Sequence, residues 1–474
     1  KNTKAENRNR ISIVTFAILY AMSAYCVVQQ HKSMWIDAVI WLPLLTYGIE
    51  QLIKNGKYKL FVVMLALTLC SNYYIGYMVC IYVAIYFFYY FFANNEKRNG
   101  SEYEINNPCG EKAHFRKSFI RIAFYSILAI GMAAIIVFTA YYSLKFGKST
   151  FSNPNWTPDA KFEFLDFLTK FLPGSYDTVR PEGLPFVYCG LLTVLLIPAY
   201  FLCKRFTQRE KIASGLLILT FVLSFVITTL DLIWHGFQKP NWLNYRYSFM
   251  LCFVLIVIAY RAFGEIKKVK FSTLFAISAA FVGFVIVAQR MTFDSYVENE
   301  SKLLTFETVF LSLLCILAYL IILAVARKTK QKESICLILA IVCCLEVYCS
   351  GLTCDVQFGD DVIYTSYSKY NDYMNELRPI VNAVKDSDRS FYRMEKTTMR
   401  KTNDSMGLVM NSLCCSTSTL NRETIDFLRY MGYASKSNWS KYLGGTPVND
   451  SLLGVKYLLS DTELGDLYES IPSI

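Results

Sequence analysis

The feature that most limits what this chain can fold into is a series of apolar runs, many of them close to 20 residues long, separated by short basic segments. A helix needs about 20 consecutive apolar residues to cross the roughly 30 Å hydrocarbon core of a bilayer. The composition agrees, since 54% of the residues are apolar and 18% are charged, against about 25% charged in an average soluble protein. The pattern predicts an all-α polytopic membrane protein in contact with the lipid bilayer, and it excludes a disordered chain, a coiled coil and a small disulfide scaffold.

Comparing the apolar runs with the charged segments gives about eleven predicted transmembrane helices. They are residues 11–30, 34–53, 60–72, 74–93, 119–142, 186–203, 212–231, 249–262, 271–289, 306–326 and 335–351. A helix over 60–72 would be only about 20 Å long, too short to cross the hydrocarbon core. Together with the span that follows, this short helix predicts a hairpin whose tip, around Asn72 and Tyr73, lies below the outer surface. That tip either lines a wet cavity or sits in a locally thin bilayer.

The charge of the connecting segments predicts the orientation. Six segments on one side of the predicted membrane hold 24 Lys and Arg residues, whereas three short segments on the other side hold five. Cytoplasmic loops of membrane proteins carry the excess of Lys and Arg, so the N-terminus is predicted to be cytoplasmic. The net charge of +11 then reflects orientation and attraction to anionic lipid, and we expect no nucleic acid as a partner.

The long polar segments fall on the predicted outer side. Residues 1–351 are predicted to form a transmembrane helical domain with outer loops at 143–185 and 232–248, and residues 352–474 an extracytoplasmic soluble module. That module mixes a helix-like pattern with short strand-like runs, which favours an α+β structure. Because the chain starts at Lys1 and the module ends without a terminal signal, we expect the sequence to be a piece of a longer protein, with the module cut short.

No soluble-enzyme motif is recognisable in the sequence: there is no nucleotide-binding glycine loop, no zinc-binding histidine motif and no nucleophilic serine elbow. The longest predicted cytoplasmic loop is too short for a nucleotide-binding domain, so any reaction would use an already activated substrate taken from the membrane or from outside. The 15 cysteines and three histidines show no metal-ligand spacing. The sequence therefore identifies no metal site and no cofactor, although a divalent cation is compatible with the chemistry considered below.

Ionisable and polar residues near the outer ends of the predicted spans are the candidates for a functional site. The candidate catalytic carboxylates are Asp37, Asp177 and Glu182. The candidate ligands of a phosphate or of another part of a substrate are Arg246, Lys239, His235, Arg180, Asn72 and Tyr73. A solvated loop explains Asp177 and Glu182 equally well. Trp35 is typical of an interfacial aromatic belt, and Asp231 of a helix cap.

Arg246 and Asp37 have the clearest physical arguments among these candidates. Arg246 lies between Tyr245 and Tyr247 on the side where cations are scarce, at the start of an apolar run, and a planar guanidinium suits a phosphate or pyrophosphate group. Asp37 lies inside its predicted span, where a charge is costly unless it is paired or wet. Each also has a structural interpretation, since Arg246 could anchor its span at the interface and Asp37 could bond a neighbouring helix end.

Several segments, taken in order, resemble the YfhO family of bacterial membrane proteins. They are Met34–Asp37, Trp41–Glu50, Ser71–Met78, Phe171–Tyr176, Asn244–Phe249, Gly444–Pro447 and Asp450–Tyr457. Each segment alone is weakly specific, and the specificity comes from the ordered set. The resemblance covers nearly the whole chain.

The resemblance implies a multi-spanning glycosyltransferase of the GT-C type in the cell membrane. Such an enzyme would move a sugar from a polyprenyl-phosphate donor to an envelope polymer, such as teichoic or lipoteichoic acid, on the outer face. In the wider class the catalytic carboxylate lies on the first outer loop. The resemblance places that loop upstream of Lys1, so Asp37 does not simply inherit the role. Two alternatives stay open: a transporter of lipid-linked sugar or polymer, which would usually show internal repeats that are not found here, and a non-catalytic envelope scaffold.

Overall fold

The computed structural model describes residues 10–93, 108–147, 156–240, 242–289, 304–329, 332–362, 364–436 and 438–471. Parts of the predicted segments 1–10, 94–118, 143–185 and 290–305 lie outside these residues. The described residues of Lys1–Val137 and Pro154–Val362 form one compact unit, here called the membrane unit. Those of Phe138–Asn153 and Ile363–Ile474 form a second, here called the C-terminal unit.

Helices make up most of the described chain up to Asp361. They are α1 (Arg10–Ala21), α2 (Ala24–Gln29), α3 (Ser33–Asn55), α4 (Lys59–Ser71), α5 (Tyr73–Ala93), α6 (Pro108–Met132), α7 (Ala134–Phe146), α8 (Phe164–Thr169), α9 (Leu191–Leu202), α10 (Gln208–Val226), α11 (Thr228–Trp234), α12 (Ser248–Gly264), α13 (Phe271–Ala288), α14 (Phe306–Lys328) and α15 (Lys332–Asp361), with a 3-10 turn at Ile266–Lys268. The inner faces of the helices of the membrane unit share one large apolar core. Helices α3 and α4 approach closely, because a Cβ on Gly48 would lie 2.8 Å from the Cα of Phe61.

The prediction of eleven transmembrane helices is wrong as a count. Among the described residues, five helices are long and apolar enough to cross a membrane: α3, α5, α13, α14 and most of α15 (Glu333–Asp361). A sixth would be added if His114–Met132 and α7, which are bent by 76° at a short break, form one span. Four other apolar helices, α1, α4, α9 and α12, have only 12 to 17 residues. The expected short leg before Asn72 is confirmed as the 13-residue α4.

Two of the predicted spans are broken, which the apolar content does not reveal. Residues 11–30 divide into α1 and α2 near Ser23, and residues 212–231 divide into α10 and α11 at Ile227, whose backbone is extended (φ −93°, ψ 122°). Non-helical backbone at membrane depth is tolerated only where protein or water satisfies its polar groups. Ser23 is fully buried in the membrane unit, so protein surrounds the first break.

A third predicted span, 186–203, is helical only from Leu191 onward, and the start of this helix is bonded to a carboxylate of α15. The N–H of Leu191 donates to Oε1 of Glu346 at 2.6 Å, and the hydroxyl of Tyr188 donates to the same oxygen at 2.7 Å. The hydroxyl of Tyr319 donates to Oε2. Glu346 thereby satisfies a free N–H at the helix start.

The last membrane helix is longer than the sequence predicts. A span ending at 351 was expected, yet α15 continues to Asp361. A loop of the same unit holds its C-terminal end: the hydroxyls of Tyr176 and Thr178 donate to Oδ2 of Asp361 at 2.9 and 2.8 Å, and Nε of Arg180 lies 3.0 Å from Oδ1. These bonds explain why the helix persists beyond its most apolar part.

The C-terminal unit contains helices and a few short strands. The helices are α16 (Tyr367–Ser387), α17 (Asp404–Leu408), α18 (Arg422–Tyr430) and α19 (Pro447–Leu452), and the strands are β1 (Arg393–Lys396), β2 (Cys415–Ser416), β3 (Ser435–Lys436), β4 (Trp439–Ser440) and β5 (Val455–Leu459). Strands β1 and β5 pair in parallel, and β4 lies between β2 and β3 in an antiparallel sheet. The buried side chains of α16 (Met374, Val381 and Val384) pack with Met394 of β1. The strands have only two to five residues, so the sheet part of this unit is small.

The predicted orientation leads to a direct test. A reporter that is active only outside the cytoplasm should be active when fused after Val362 and silent when fused at Gly100. The reason is the excess of Lys and Arg in the segments assigned to the cytoplasm. Reporter activity and protein abundance would be measured together for both fusions, and the opposite pattern of signals would contradict the orientation.

Candidate functional site

The candidate site lies where the start of α12 meets the first turns of α3 and α5, and its central side chain is Arg246. The guanidinium carbon of Arg246 lies 4.9 Å from the ring centroid of Trp35 on α3 and 4.9 Å from that of Tyr74 on α5. Its Nε donates to the carbonyl of Leu243 at 3.0 Å, and its Nη2 to the carbonyl of Trp242 at 2.9 Å. The described residues thus use two of the five N–H groups of the guanidinium, and the others are available to a ligand.

The sequence neighbours of Arg246 do not flank its guanidinium. The ring of Tyr245 faces the ammonium of Lys161, whose Nζ lies 4.3 Å from the ring centroid. The ring of Tyr247 stacks on Trp234 with centroids 4.4 Å apart. The side chains of Tyr245, Arg246 and Tyr247 therefore have different partners. Because Tyr245 contacts Lys161, this short loop positions both Arg246 and Lys161.

The loop between α11 and α12 carries backbone strain. In the described part of the chain, four residues other than glycine have a positive φ, and three of them lie in this loop: Phe237 (64°), Leu243 (58°) and Tyr245 (53°). A bulky residue in this region costs of order 1–3 kcal/mol and persists only where the surroundings impose it. One such restraint is the N–H of Leu243, which donates to the carbonyl of Val179 at 2.9 Å. Strain of this kind is concentrated at functional sites, which supports placing the site here.

Asp231 on α11 ties the elements of the site together. Its Oδ2 accepts from Nζ of Lys161 at 2.7 Å, its Oδ1 accepts from the hydroxyl of Tyr247 at 2.9 Å, and Nδ1 of His235 lies 3.4 Å from Oδ1. The ion pair with Lys161 and the hydrogen bond from Tyr247 satisfy both carboxylate oxygens of Asp231. Asp231 thereby compensates part of the charge of Lys161.

Lys161 reaches the site because its loop fills the break between α10 and α11. The N–H of Lys161 donates to the carbonyl of Val226 at 2.8 Å, and the N–H of Thr228 donates to the carbonyl of Asp159 at 3.0 Å. Ala160 and Ile227 form an isolated β-bridge between these two contacts. The break between α10 and α11 leaves backbone N–H and carbonyl groups without helical partners, and the loop around Lys161 forms hydrogen bonds with them. As a result, Lys161 lies beside Asp231.

Four buried polar atoms near these elements have no hydrogen-bond partner among the described residues. They are the hydroxyl of Tyr25, Oε1 of Gln29, Nε2 of His235 and Oγ of Ser248. All four residues are at most 2% exposed. Buried polar atoms are nearly always paired, so each exception calls for an explanation such as a ligand or a water molecule.

The three predicted catalytic carboxylates have different surroundings. Oδ1 of Asp177 is paired with Nζ of Lys170 at 2.8 Å, its Oδ2 accepts from the N–H of Leu184 at 2.5 Å, and its side chain is fully buried. Glu182 is exposed. Asp37 is half-buried on α3 and makes no hydrogen bond or ion pair with any residue in the described ranges. The structure thus gives Asp177 a structural partner, whereas Asp37 and Glu182 have no hydrogen-bond or ion-pair partner among the described residues.

Of the six predicted ligand-binding residues, the structure brings Arg246 and His235 together around Tyr74. Asn72 caps α5, since its Oδ1 accepts from the N–H groups of Tyr74 and Ile75 at 3.1 and 3.0 Å. The remaining residues are Tyr73, which is half-buried, Lys239, which is exposed, and Arg180, which pairs with Asp361.

Sequence reasoning did not assign Trp35, Tyr74, Lys161 or Asp231 to the site. Trp35 was interpreted as a belt residue and Asp231 as a helix cap. Lys161 carried a usable signal, because it is a cation on the predicted outer side, where cations are scarce. The packing of Trp35 and Tyr74 on Arg246 depends on contacts between distant helices, which no local pattern reveals.

Within the described ranges, no three His, Cys, Asp or Glu side chains come together as metal ligands. A divalent cation therefore has no evident ligand set in this part of the chain. The positive charge available to an anionic ligand at the site comes mainly from Arg246, because Asp231 compensates part of the charge of Lys161.

Comparison with known proteins gives two matches. A family model described as "Bacterial membrane protein YfhO" matches residues 2–470. A curated protein of Bacillus subtilis (strain 168), "Uncharacterized protein YfhO", is 23% identical over 331 residues, which cover 68% of this chain and 33% of that protein. The chain therefore spans about a third of the length of the curated relative that it matches. No solved structure matches the chain.

Proposed function

Because the chain belongs to the YfhO family of bacterial membrane proteins, we propose that it is a membrane glycosyltransferase acting on the outer face of the cell membrane. The donor would be a polyprenyl-phosphate-linked sugar, and the acceptor an envelope polymer such as teichoic or lipoteichoic acid. The observation that carries the proposal is the guanidinium of Arg246, held between the rings of Trp35 and Tyr74 with N–H groups to spare.

The chemistry of such a donor agrees with this arrangement. When the bond between the anomeric carbon and the phosphate oxygen breaks, the phosphate leaves with the electron pair and gains negative charge. A fixed guanidinium stabilises that charge without rearranging during the reaction, and its planar geometry allows two parallel hydrogen bonds to a phosphate. Lys161 supplies a second cation, although Asp231 compensates part of its charge.

The polyprenyl chain explains why this site would be built from membrane helices. A lipid-linked donor enters from the bilayer, so the protein needs a phosphate-binding group near the membrane surface and no nucleotide-binding fold. Arg246 lies two residues before the start of α12, and Tyr74 lies in the first turn of α5. In the predicted orientation both positions are at the outer surface, where the donor phosphate would lie.

The direct test uses the full-length protein in liposomes. Radiolabelled undecaprenyl-phosphate sugars carrying glucose, galactose or N-acetylglucosamine would be supplied in parallel, with lipoteichoic acid as the acceptor. We expect transfer of label to the polymer from one of these donors, and loss of the corresponding sugar from the teichoic acids of a deletion strain. Absence of transfer from every donor, together with unchanged teichoic acids in the deletion strain, would contradict the proposal.

A transporter of lipid-linked sugars is the second candidate, and the broken helices favour it. Transporter binding sites are often formed by discontinuous helices whose ends face the substrate, and the breaks at Ser23 and Ile227 fit that description. The same liposomes separate the two functions. A transporter would move the labelled donor between leaflets without attaching the sugar to the acceptor.

A further inference from the structure

The two ring nitrogens of His235 have different surroundings, which fixes the tautomer of the neutral imidazole. Nδ1 lies 2.9 Å from the backbone carbonyl oxygen of Asp231, and a carbonyl oxygen can only accept a hydrogen bond. Nδ1 therefore carries the proton, and Nε2 presents a lone pair. Nε2 is buried and has no partner among the described residues, so the unsatisfied atom of this side chain is a proton-accepting nitrogen.

The charged and titratable groups near His235 come from its own helix and from the elements packed against it. The charged neighbours are Asp231 on the same helix, whose Oδ1 lies 3.4 Å from Nδ1, and Lys161, which is bound to the other oxygen of that carboxylate. The titratable neighbours on packed helices are Tyr74 of α5 and Tyr247 beside α12, whose ring centroids lie 6.3 and 5.9 Å from that of the imidazole. An imidazolium formed here would face the carboxylate of Asp231, while the hydrogen bond from Nδ1 to the backbone carbonyl of Asp231 fixes the ring orientation.

We propose that His235 is the general base of the transfer reaction, an inference that rests on the glycosyltransferase function proposed above. Nε2 takes the proton of the acceptor hydroxyl while the hydroxyl oxygen forms a bond to the anomeric carbon. The bond between that carbon and the phosphate oxygen breaks, and the phosphate leaves with the electron pair toward Arg246. The proton then passes from His235 to the departing phosphate or to solvent, which restores the neutral imidazole.

The positions of the base and the phosphate cation suit this step, because one ring contacts both. The centroid of Tyr74 lies 6.3 Å from that of His235 and 4.9 Å from the guanidinium carbon of Arg246. In a single displacement at an anomeric carbon, the attacking and leaving oxygens lie on opposite sides of one sugar ring. The base that takes the proton of the attacking oxygen and the cation that binds the leaving phosphate therefore lie a short distance apart. Since the imidazole is fully buried, the acceptor reaches Nε2 only when the side chains that cover it move aside.

The test is His235→Asn, compared with His31→Asn as a matched control. An asparagine amide can donate to the carbonyl of Asp231 in place of Nδ1, so the variant keeps the structural bond and removes the base. His31 has a similar local geometry, with Nδ1 3.0 Å from the carbonyl of Val28 and its ring 4.8 Å from that of Phe358, and it lies outside the site. Both variants would be purified at full length and assayed in liposomes with the donor that the parent protein uses.

General base catalysis contributes about 10²–10⁴-fold to a rate, so we expect kcat of His235→Asn to fall by about that factor while KM for the donor changes little. The acid limb of the kcat–pH profile, present in the parent protein and in His31→Asn, should be absent from His235→Asn. A near-parental kcat of His235→Asn with the acid limb intact would overturn the assignment of His235 as the base but not the proposed function. The same result combined with inactivity of Asp37→Asn would transfer the role to Asp37, whereas a parent protein that transfers no sugar would overturn the proposed function itself.

Discussion

The Arg246→Lys variant is expected to transfer sugar about 10²-fold or more slowly than the parent protein, by analogy with the loss of one oxyanion donor, while inserting in the membrane and folding normally. Lysine keeps the positive charge but loses the planar pair of donors and the stacking on Trp35 and Tyr74. The measurement is the initial rate of label transfer to lipoteichoic acid in liposomes, per amount of folded protein. If Arg246 only anchors its span at the interface, lysine should replace it with little loss.

A matched control is available at the other end of α12. The guanidinium of Arg261 also lies between two aromatic rings, 5.9 Å from Tyr200 and 5.5 Å from Phe206, and is paired with Glu210. The Arg261→Lys variant loses similar ring contacts outside the site and should keep its transfer rate per folded molecule. Equal losses in the two variants would show that the effect comes from packing, and Arg246 would then be removed from the site.

The Lys170→Met variant is expected to lose about 3–5 kcal/mol of unfolding free energy, the usual effect of removing one partner of a buried ion pair. Lys170 and Asp177 have side chains that are 1% and 0% exposed, and Nζ of Lys170 also donates to the carbonyl of Ser175 at 2.5 Å. Without Lys170 the carboxylate remains in the interior with no opposite charge. The measurement is denaturant unfolding of the protein in detergent micelles, or thermal unfolding if the denaturant transition is not reversible.

Two further variants make this prediction specific. The exposed pair of Lys268 and Glu265 is a control, because its side chains are 55% and 31% exposed, and Lys268→Met should change stability by about 1 kcal/mol or less. The double variant Lys170→Met/Asp177→Leu should recover most of the loss, because apolar residues often replace a buried ion pair at little cost. Sugar transfer by a stable double variant would exclude Asp177 as a catalytic carboxylate, and a fully stable Lys170→Met would contradict the structural role of the pair.

The long membrane helices could be predicted because length and apolar content suffice to define them. The predicted spans 34–53 and 74–93 correspond to α3 (Ser33–Asn55) and α5 (Tyr73–Ala93) within two residues at each end. The breaks were harder to predict, since the interrupted segments are as apolar as the intact ones. One signal was present: residues 226–229 are four consecutive β-branched residues, Val-Ile-Thr-Thr, which crowd a helix, and α10 ends within them.

The site could be predicted only in part. Arg246 stood out because of its chemistry and its position on the side where cations are scarce, but its ring partners Trp35 and Tyr74 come from helices far away in the sequence. Asp177 was considered a catalytic residue because it belongs to a polar loop. The lysine seven residues earlier, Lys170, was the available sign of a local ion pair. The burial of Asp177 favours the ion pair over the catalytic role, and burial depends on how the helices pack.

The bond between Leu191 and Glu346 has a consequence for the order in which the protein can be completed. The two residues are 155 positions apart, so at about 5–20 residues per second the ribosome needs roughly 8–30 s to supply the carboxylate after the start of α9 has been made. During this interval the N–H of Leu191 and the hydroxyl of Tyr188 depend on water or on the insertion machinery for partners. The start of α9 therefore gains its carboxylate partner only after α15 has been made, and a chain stopped short of Glu346 would lack it.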